Sequence, residues 1–148
     1  MTPAGDDPRF ARLVERFETL AAVDVARLGD HYAAEVRFKD PFNEVTGLAA
    51  VQRIYAHMFE TLDAPRFKVH EVVAQGDQAF LTWDFIFRYK RGETRLQTVR
   101  GASHLVLDAQ GRIVLHRDYW DAAEELYEKL PLIGALMRWL KRRVNSAS

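Results

Sequence analysis

The amino-acid sequence predicts an α+β fold, a cone-shaped barrel in which a curved antiparallel sheet wraps around N-terminal helices. The first part of the chain carries apolar residues at helical spacings, and the second part carries four segments in which apolar and polar residues alternate. Short polar turns join these four segments, which is typical of an antiparallel meander. Because helices and strands are segregated along the chain, we expect the helices on one face of the sheet, with a further helix at the C-terminus.

Length and composition indicate one domain of an ordinary globular protein. The sequence has 148 residues, which fits a single domain over 1–148. Basic and acidic residues number 21 each, so the zero net charge does not favour nucleic-acid binding, and the absence of cysteine excludes disulfides and thiolate metal sites. No apolar run approaches the roughly 18 residues of a membrane span. Residues 1–10 do not resemble a signal peptide, so we expect a cytoplasmic protein with no transmembrane segment.

Three helices are predicted before the meander. The first is amphipathic and runs from Pro8 to about Ala22, with Asp7 as its N-cap. A second, short helix begins at Asp24, and the third shows a strong helical period over 48–62.

A short strand is predicted between the second and third helices. In the segment AAEVRFKDPF, Val36 and Phe38 alternate with the basic residues Arg37 and Lys39. Pro41 cannot donate a backbone hydrogen bond to a neighbouring strand, so the strand is expected to end near Asp40.

The meander is predicted from three turns and from strict alternation between them. The turns lie at Gly76–Asp77, at Arg91–Gly92 and over 108–111. In the strand after the first turn, one face is expected to carry Ala79, Leu81, Trp83, Phe85, Phe87 and Tyr89.

A C-terminal helical extension is predicted over 122–144. Asp121 and Glu124 have the spacing of a capping box, and Pro131 is expected to kink the extension or to start a second helix. An apolar stripe with a basic opposite face then consists of Leu132, Ile133, Leu136, Met137 and Leu140. We expect this stripe to close the cone or to pack on a partner subunit, with contact to a membrane surface as the weaker alternative.

Two segments, 31–59 and 101–121, resemble the nuclear transport factor 2-like superfamily, and more narrowly the ketosteroid isomerases and SnoaL-like polyketide cyclases. The resemblance places Asp40 where the isomerases have an aspartate general base. It places Tyr55 where they have a helix tyrosine of the hydrogen-bond network. The two main oxyanion donors of the isomerases fall at Arg16 or Phe17 and at Ser103, so this chain lacks both. The resemblance also implies a homodimer.

The candidate catalytic residues are Asp40, His116 and Asp118. Alternation in the last strand puts His116, Asp118 and Trp120 on one face, and the resemblance places that face inward. A His and an Asp two residues apart can orient one another for proton transfer. The alternatives are that Asp40 only forms a turn, and that the His–Asp pair is structural or exposed at the sheet edge.

The candidate substrate-binding residues share one feature, a position on an expected wall of the cone. They are Phe17, Tyr55, Trp83, Phe85, Ser103 and Trp120. The aromatic pair Trp83 and Phe85 fits a core as well as a pocket wall.

These residues predict an enzyme that needs no cofactor and performs acid–base chemistry on an apolar carbonyl compound, such as a polyketide or steroid-like molecule. Isomerisation, cyclisation and hydrolysis all fit this description. The alternative is a non-catalytic ligand-binding or dimerisation module on the same fold. No metal site is expected, because His57, His104 and His116 lie on separate predicted elements.

Overall fold

The computed structural model describes residues 6–92, 94–125, 139–140 and 142–144. Its elements in chain order are α1 (Pro8–Glu18), a 3₁₀ helix (Ala22–Asp30), β1 (Tyr32–Lys39), β2 (Glu44–Thr46), α2 (Leu48–Thr61), β3 (Leu62–Gln75), β4 (Gln78–Tyr89), β5 (Gln97–Leu107), β6 (Ile113–Tyr119) and α3 (Ala122–Glu125).

The strands form one six-stranded sheet in the order β2-β1-β6-β5-β4-β3. Strands β3 to β6 pair consecutively and antiparallel, as the alternating segments predicted. The exception to the expected antiparallel sheet is the parallel pair of β1 with β6, in which Phe38 lies opposite His116 and Lys39 opposite Arg117. The residues that follow, Asp40 and Asp118, therefore lie at the same end of the sheet.

The first helix begins at the predicted residue but ends earlier than predicted. The backbone N–H of Arg9 donates to the Asp7 carboxylate at 2.9 Å, which satisfies one of the free donors of the first turn. The helix buries Phe10 and Leu13 and ends at Glu18, not at Ala22. The chain then forms the 3₁₀ helix, which begins at Ala22.

The first strand is longer than predicted, since it begins at Tyr32 and not near Val36. Strand β2 was not predicted. Strand β3 begins directly after α2, so Pro65 lies inside it, beside a register shift between Asp63 and Arg66. A proline is tolerated there because β3 is an edge strand.

The hydrophobic core lies between the helices and the concave face of the sheet. In β4 the predicted inner face is confirmed, since Ala79, Leu81, Trp83 and Phe87 are buried while Phe80 is 49% exposed. The helices contribute Phe10, Leu13, Leu28, Val51 and Tyr55 to the same core. The apolar faces of these elements therefore pack together on one side of the sheet.

The C-terminal extension is described only in part. Residues 122–125 are helical, and the Glu124 N–H donates to the Asp121 carboxylate at 3.1 Å, which is the N-cap contact of the predicted capping box. Residues 139–140 and 142–144 are helical, and Leu140 is 42% exposed. Pro131 and the other four residues of the predicted stripe lie outside the described residues. Among the helices that are described, none has the length and apolarity to cross a membrane.

Candidate functional site

His116 is the centre of a buried polar network on the inner face of the sheet. It lies on β6 and is only 4% exposed. Its Nδ1 lies 2.7 Å from the Tyr32 hydroxyl, and its Nε2 lies 2.7 Å from Asp118 Oδ1. Both ring nitrogens are therefore hydrogen-bonded, as a buried imidazole requires.

The network continues on both sides of this histidine. The Tyr32 hydroxyl lies 3.0 Å from that of Tyr55 on α2. On the other side, the Ser103 hydroxyl donates to Asp118 Oδ1 at 2.5 Å, and the Trp83 indole N–H donates to Ser103 Oγ at 2.8 Å. Six side chains from five elements thus form one continuous set of hydrogen bonds.

Strand register explains why these side chains meet. His116 and Asp118 are two residues apart on β6 and face the same side, as the sequence predicted. Ser103 lies directly opposite Asp118 in the β5–β6 ladder, and Phe38 lies opposite His116 in the parallel β1–β6 ladder. Cross-strand neighbours of this kind lie within reach of one another.

The donors and acceptors fit an ionised Asp118 that accepts two hydrogen bonds. A carboxylate can only accept, so the neutral His116 ring donates from Nε2 and accepts at Nδ1 from the Tyr32 hydroxyl. Within the described part of the chain, Asp118 Oδ2 accepts no hydrogen bond. Among the described residues, therefore, only one of the two Asp118 oxygens takes part in the network.

Burial keeps the two tyrosine hydroxyls protonated. Removal from water raises the pKa of Tyr32 well above its ordinary value of 10.0, and the neighbouring Tyr55 adds to this. Burial, and after it the charge of Asp118, also raises the pKa of Tyr55. Both hydroxyls are therefore neutral hydrogen-bond donors at physiological pH.

A cavity of about 320 Å³ opens beside the network. Its walls consist of Phe38, Asp40, Phe42, Ile54, Tyr55, His57, Met58, Thr61, Leu62, Phe67, Trp83, Phe85, Phe87, Tyr89, Val99, Asp118 and Trp120. This volume is at the lower end of the range for small-molecule sites, and the mixture of many apolar walls with a few polar groups is typical of them.

A second, inner chamber of about 20 Å³ lies next to the cavity. It shares Tyr55, Trp83 and Asp118 with the cavity, and His116 and Ser103 line it as well. This space is enough for about one water molecule.

Asp40 lines the cavity, but its carboxylate binds its own turn. Oδ1 accepts from the backbone N–H of Phe42 at 2.8 Å and from that of Asn43 at 2.6 Å. The Asn43 side-chain amide lies 3.1 Å from both carboxylate oxygens. These contacts are those of a turn-forming aspartate.

The structure brings the residues predicted for the site to one end of the cone. Tyr55, Trp83, Phe85 and Trp120 line the cavity with Asp40 and Asp118, and Phe17, Ser103 and His116 line the inner chamber. Asp40 does not join the hydrogen-bonded network, which runs through Asp118.

Two residues of the site were not predicted from the sequence. Tyr32 supplies the hydroxyl on His116, and Asn43 supplies three donor contacts to Asp40. The alternation of β1 does not indicate the first, because it is interrupted by a register shift between Tyr32 and Arg37. The spacing of an Asp and an Asn three residues apart around Pro41 could have indicated the second.

A second His–Asp pair lies away from the cavity. His70 Nε2 is 3.1 Å from Asp84 Oδ2, and neither residue lines the cavity. Among the described residues, no three His, Asp or Glu side chains are grouped to hold a metal ion.

The curved sheet, the helices on its concave face and the cavity between them define an NTF2-like α+β fold. The chain belongs to the SnoaL-like domain family, whose model matches residues 13–116. No curated protein matches the sequence.

Solved structures show the same fold at low sequence identity. A protein with a ketosteroid isomerase-like fold from Catenulispora acidiphila, in complex with trimethylamine, has 16% identity and a TM-score of 0.69, over 81% of this chain and 90% of that one. TerC co-crystallised with polyporic acid has 15% identity and a TM-score of 0.68, over 80% and 95%. An LEH-like epoxide hydrolase of M. tuberculosis has 14% identity and a TM-score of 0.63, over 79% and 83%. At such low sequence identity, structural similarity shows that these proteins share the fold of this chain.

Proposed function

We propose that this protein binds a small apolar carbonyl compound in the 320 Å³ cavity and transfers protons on it without a cofactor. The observation that supports this most is the buried network, which reaches the cavity wall at Asp118, whose Oδ2 accepts no hydrogen bond from the residues that the structure describes. A partly buried carboxylate beside an imidazole, at the wall of an apolar cavity, is a common arrangement for acid–base chemistry.

In the proposed reaction Asp118 is the proton acceptor. Oδ2 takes a proton from the carbon next to the carbonyl group, which leaves an enolate and a neutral carboxylic acid. Where a carbon–carbon double bond of the substrate is conjugated with the enolate, the same carboxylic acid returns the proton to the far carbon of this dienolate, which shifts the double bond, completes an isomerisation and regenerates the carboxylate. His116 and Ser103 hold Oδ1, so that Oδ2 keeps its orientation through both steps.

The tyrosines connect His116 to the substrate oxygen. With the neutral ring, Tyr32 donates to Nδ1, and the single hydroxyl proton of Tyr55 either donates to Tyr32 or turns to an oxygen in the cavity. Tyr55 then donates to the oxygen of the enolate. This supplies a donor for developing negative charge in a chain that has no tyrosine at position 16 or 17 and no acid at position 103.

The role of Asp40 as general base stays a prediction. Its turn contacts favour a different role, in which Asp40 and Asn43 fix the backbone at the cavity mouth. The Phe42 ring, 5.5 Å from the Trp120 ring, is held at the same place.

The solved structures support a ligand-binding role. Two of the neighbours hold small organic molecules, trimethylamine and polyporic acid, and a third is an epoxide hydrolase. Each shares the fold with this chain, and a fold of this kind can position different chemistries.

A second candidate is a non-catalytic ligand-binding protein that uses the same cavity. The turn contacts of Asp40 favour it, because they leave the residue matched to the isomerase base bound to backbone N–H groups. The turn contacts of Asp40 do not bear on the oligomeric state.

A homodimer is compatible with either candidate function. On the outer sheet face Val73 and Phe80, which are cross-strand partners, are 63% and 49% exposed. A homodimer formed there should become a monomer in light scattering when Phe80 is replaced by lysine, and an unchanged mass would reject this surface.

Hydrogen–deuterium exchange at the α-carbon of α-tetralone, followed by NMR in D₂O, tests the proposal. The wild type should accelerate exchange, and Asp118→Asn should lower the acceleration by at least about 100-fold, since an amide cannot accept the proton. Asp84→Asn is the matched control, because it changes an acid of the outer His–Asp pair. Saturable binding without accelerated exchange would favour the non-catalytic candidate, and equal rates for the wild type and Asp118→Asn would reject Asp118 as the base.

A further inference from the structure

Gly101 on β5 lies directly beneath the indole ring of Trp83. A Cβ atom added at Gly101 would lie 2.7 Å from Trp83 Cζ2 and 2.9 Å from Cζ3, and nearer still to Cη2. Carbon atoms in contact are normally about 3.5–4.0 Å apart. Any side chain at position 101 therefore overlaps the ring in its present place.

Strand register produces this contact. Trp83 and Gly101 are cross-strand partners in the β4–β5 ladder, and Ser103 is two residues further along β5 on the same face. The indole crosses over Gly101, and its N–H reaches Ser103 Oγ at 2.8 Å. The space above Gly101 is therefore what allows Trp83 to bind Ser103, which in turn donates to Asp118.

The same ring forms part of two walls. Trp83 lines both the 320 Å³ cavity and the inner chamber, and it is only 5% exposed. Because one side of the ring contacts β5, a side chain at position 101 would displace the ring away from the strand and into the cavity.

We infer that Gly101 is a specificity-determining position. The absence of a side chain there lets Trp83 pack against β5. The position of this ring then sets the depth of the cavity and allows the hydrogen bonds from Trp83 to Ser103 and from Ser103 to Asp118. The expected effect of Gly101 on ligand binding rests on the proposed function, since it needs a ligand in the cavity. The effect of Gly101 on the position of Trp83 rests on the contact geometry alone. Gly101 touches no reacting atom and acts through Trp83.

The first test follows the Trp83 indole N–H by NMR in Gly101→Ala. The sequence has three tryptophans, and loss of one signal in Trp83→Phe assigns it. In the wild type this buried, hydrogen-bonded proton should exchange slowly with D₂O, and in Gly101→Ala it should exchange at least about tenfold faster. Ala102→Ser adds one atom to the opposite face of the same strand and should leave the exchange rate unchanged. A wild-type exchange rate in Gly101→Ala would overturn the inference.

The second test measures binding of the apolar fluorescent probe N-phenyl-1-naphthylamine. Gly101→Ala should weaken binding by about tenfold, which corresponds to an ordinary overpacking effect. The double variant Trp83→Phe/Gly101→Ala should restore the affinity of Trp83→Phe, since the smaller ring leaves room for the methyl group. A double variant that binds no better than Gly101→Ala would overturn the inference, because the obstruction would then not be Trp83.

The outcomes separate this inference from the proposed function. If the wild type binds no probe, the ligand cavity of the proposed function fails, while the indole exchange test still decides the role of Gly101. If Gly101→Ala does not fold, the double variant decides: recovery of a folded protein supports a clash with Trp83, and failure to recover contradicts it.

Discussion

At the scale of single residues, Asp118 is the point where the polar network meets the cavity. One of its oxygens is held by His116 and Ser103, and its side chain keeps 17% exposure. Alternation along β6 predicted that His116 and Asp118 share a face. It could not predict Tyr32, whose hydroxyl reaches His116 only because β1 and β6 pair in parallel.

Substitution of each of the two aspartates that line the cavity compares their roles in proton transfer directly. We expect Asp40→Asn to keep α-tetralone exchange within about tenfold of the wild type, whereas Asp118→Asn loses about 100-fold or more. The asparagine can still accept from the N–H groups of the turn, so the cavity mouth should keep its shape. If Asp40→Asn is instead the variant that loses activity, the base is Asp40, as the resemblance to the isomerases predicts.

The buried tyrosines predict a loss of stability at alkaline pH. The pKa values of Tyr32 and Tyr55 are raised in the folded protein, mainly by burial, while unfolded tyrosine titrates near about 10. The folded state therefore retains protons that the unfolded state releases. This contribution to stability is complete below pH about 10 and is lost as the pH rises above that value toward the folded pKa.

Melting temperatures measured between neutral pH and pH about 11 check this prediction. The melting temperature should fall steeply above pH about 10 in the wild type and less steeply in Tyr32→Phe. Tyr119→Phe is the control, because Tyr119 is 46% exposed and should leave the slope unchanged. An equal slope in Tyr32→Phe and the wild type would contradict the assignment to the buried hydroxyls.

At the scale of helices and strands, local signals predicted the elements but not all of their partners. Asp7 and Pro8 predicted the start of α1, and alternation predicted the buried face of β4, because both depend on neighbours in sequence. The pairing of β1 with β6 joins segments about 80 residues apart, and no local pattern specifies such a partner. Strand β2 has only three residues, too few for a periodic signal.

The N-cap of α1 gives a prediction for stability. Asp7→Ala removes the side-chain acceptor for the Arg9 N–H and should lower the free energy of unfolding by about 1 kcal/mol. Its partner Arg9 also donates to Asp77 at 2.6 Å in the β3–β4 turn, so the cap helps to join α1 to the sheet. Urea denaturation measures the change, with Asp6→Ala as the control. Equal losses in the two variants would show that the cap contributes nothing specific.

At the scale of the whole molecule, the cavity follows from the shape of the sheet. Strands β3 and β4 are the longest of the sheet, with 14 and 12 residues. Aromatic residues at alternate positions of β4 line the cavity with Trp120 and with residues of α2. The sequence predicted this aromatic face, but whether it packs as core or lines a cavity depends on the helices, which a single strand cannot indicate.

A crystal structure of the protein soaked in α-tetralone tests the central claim most directly. The claim predicts the ketone in the cavity, with its oxygen within hydrogen-bond distance of Tyr55 Oη and its α-carbon about 3–3.5 Å from Asp118 Oδ2. Ketone bound only on the outer surface, or bound in the cavity with its α-carbon turned away from Asp118, would contradict the claim.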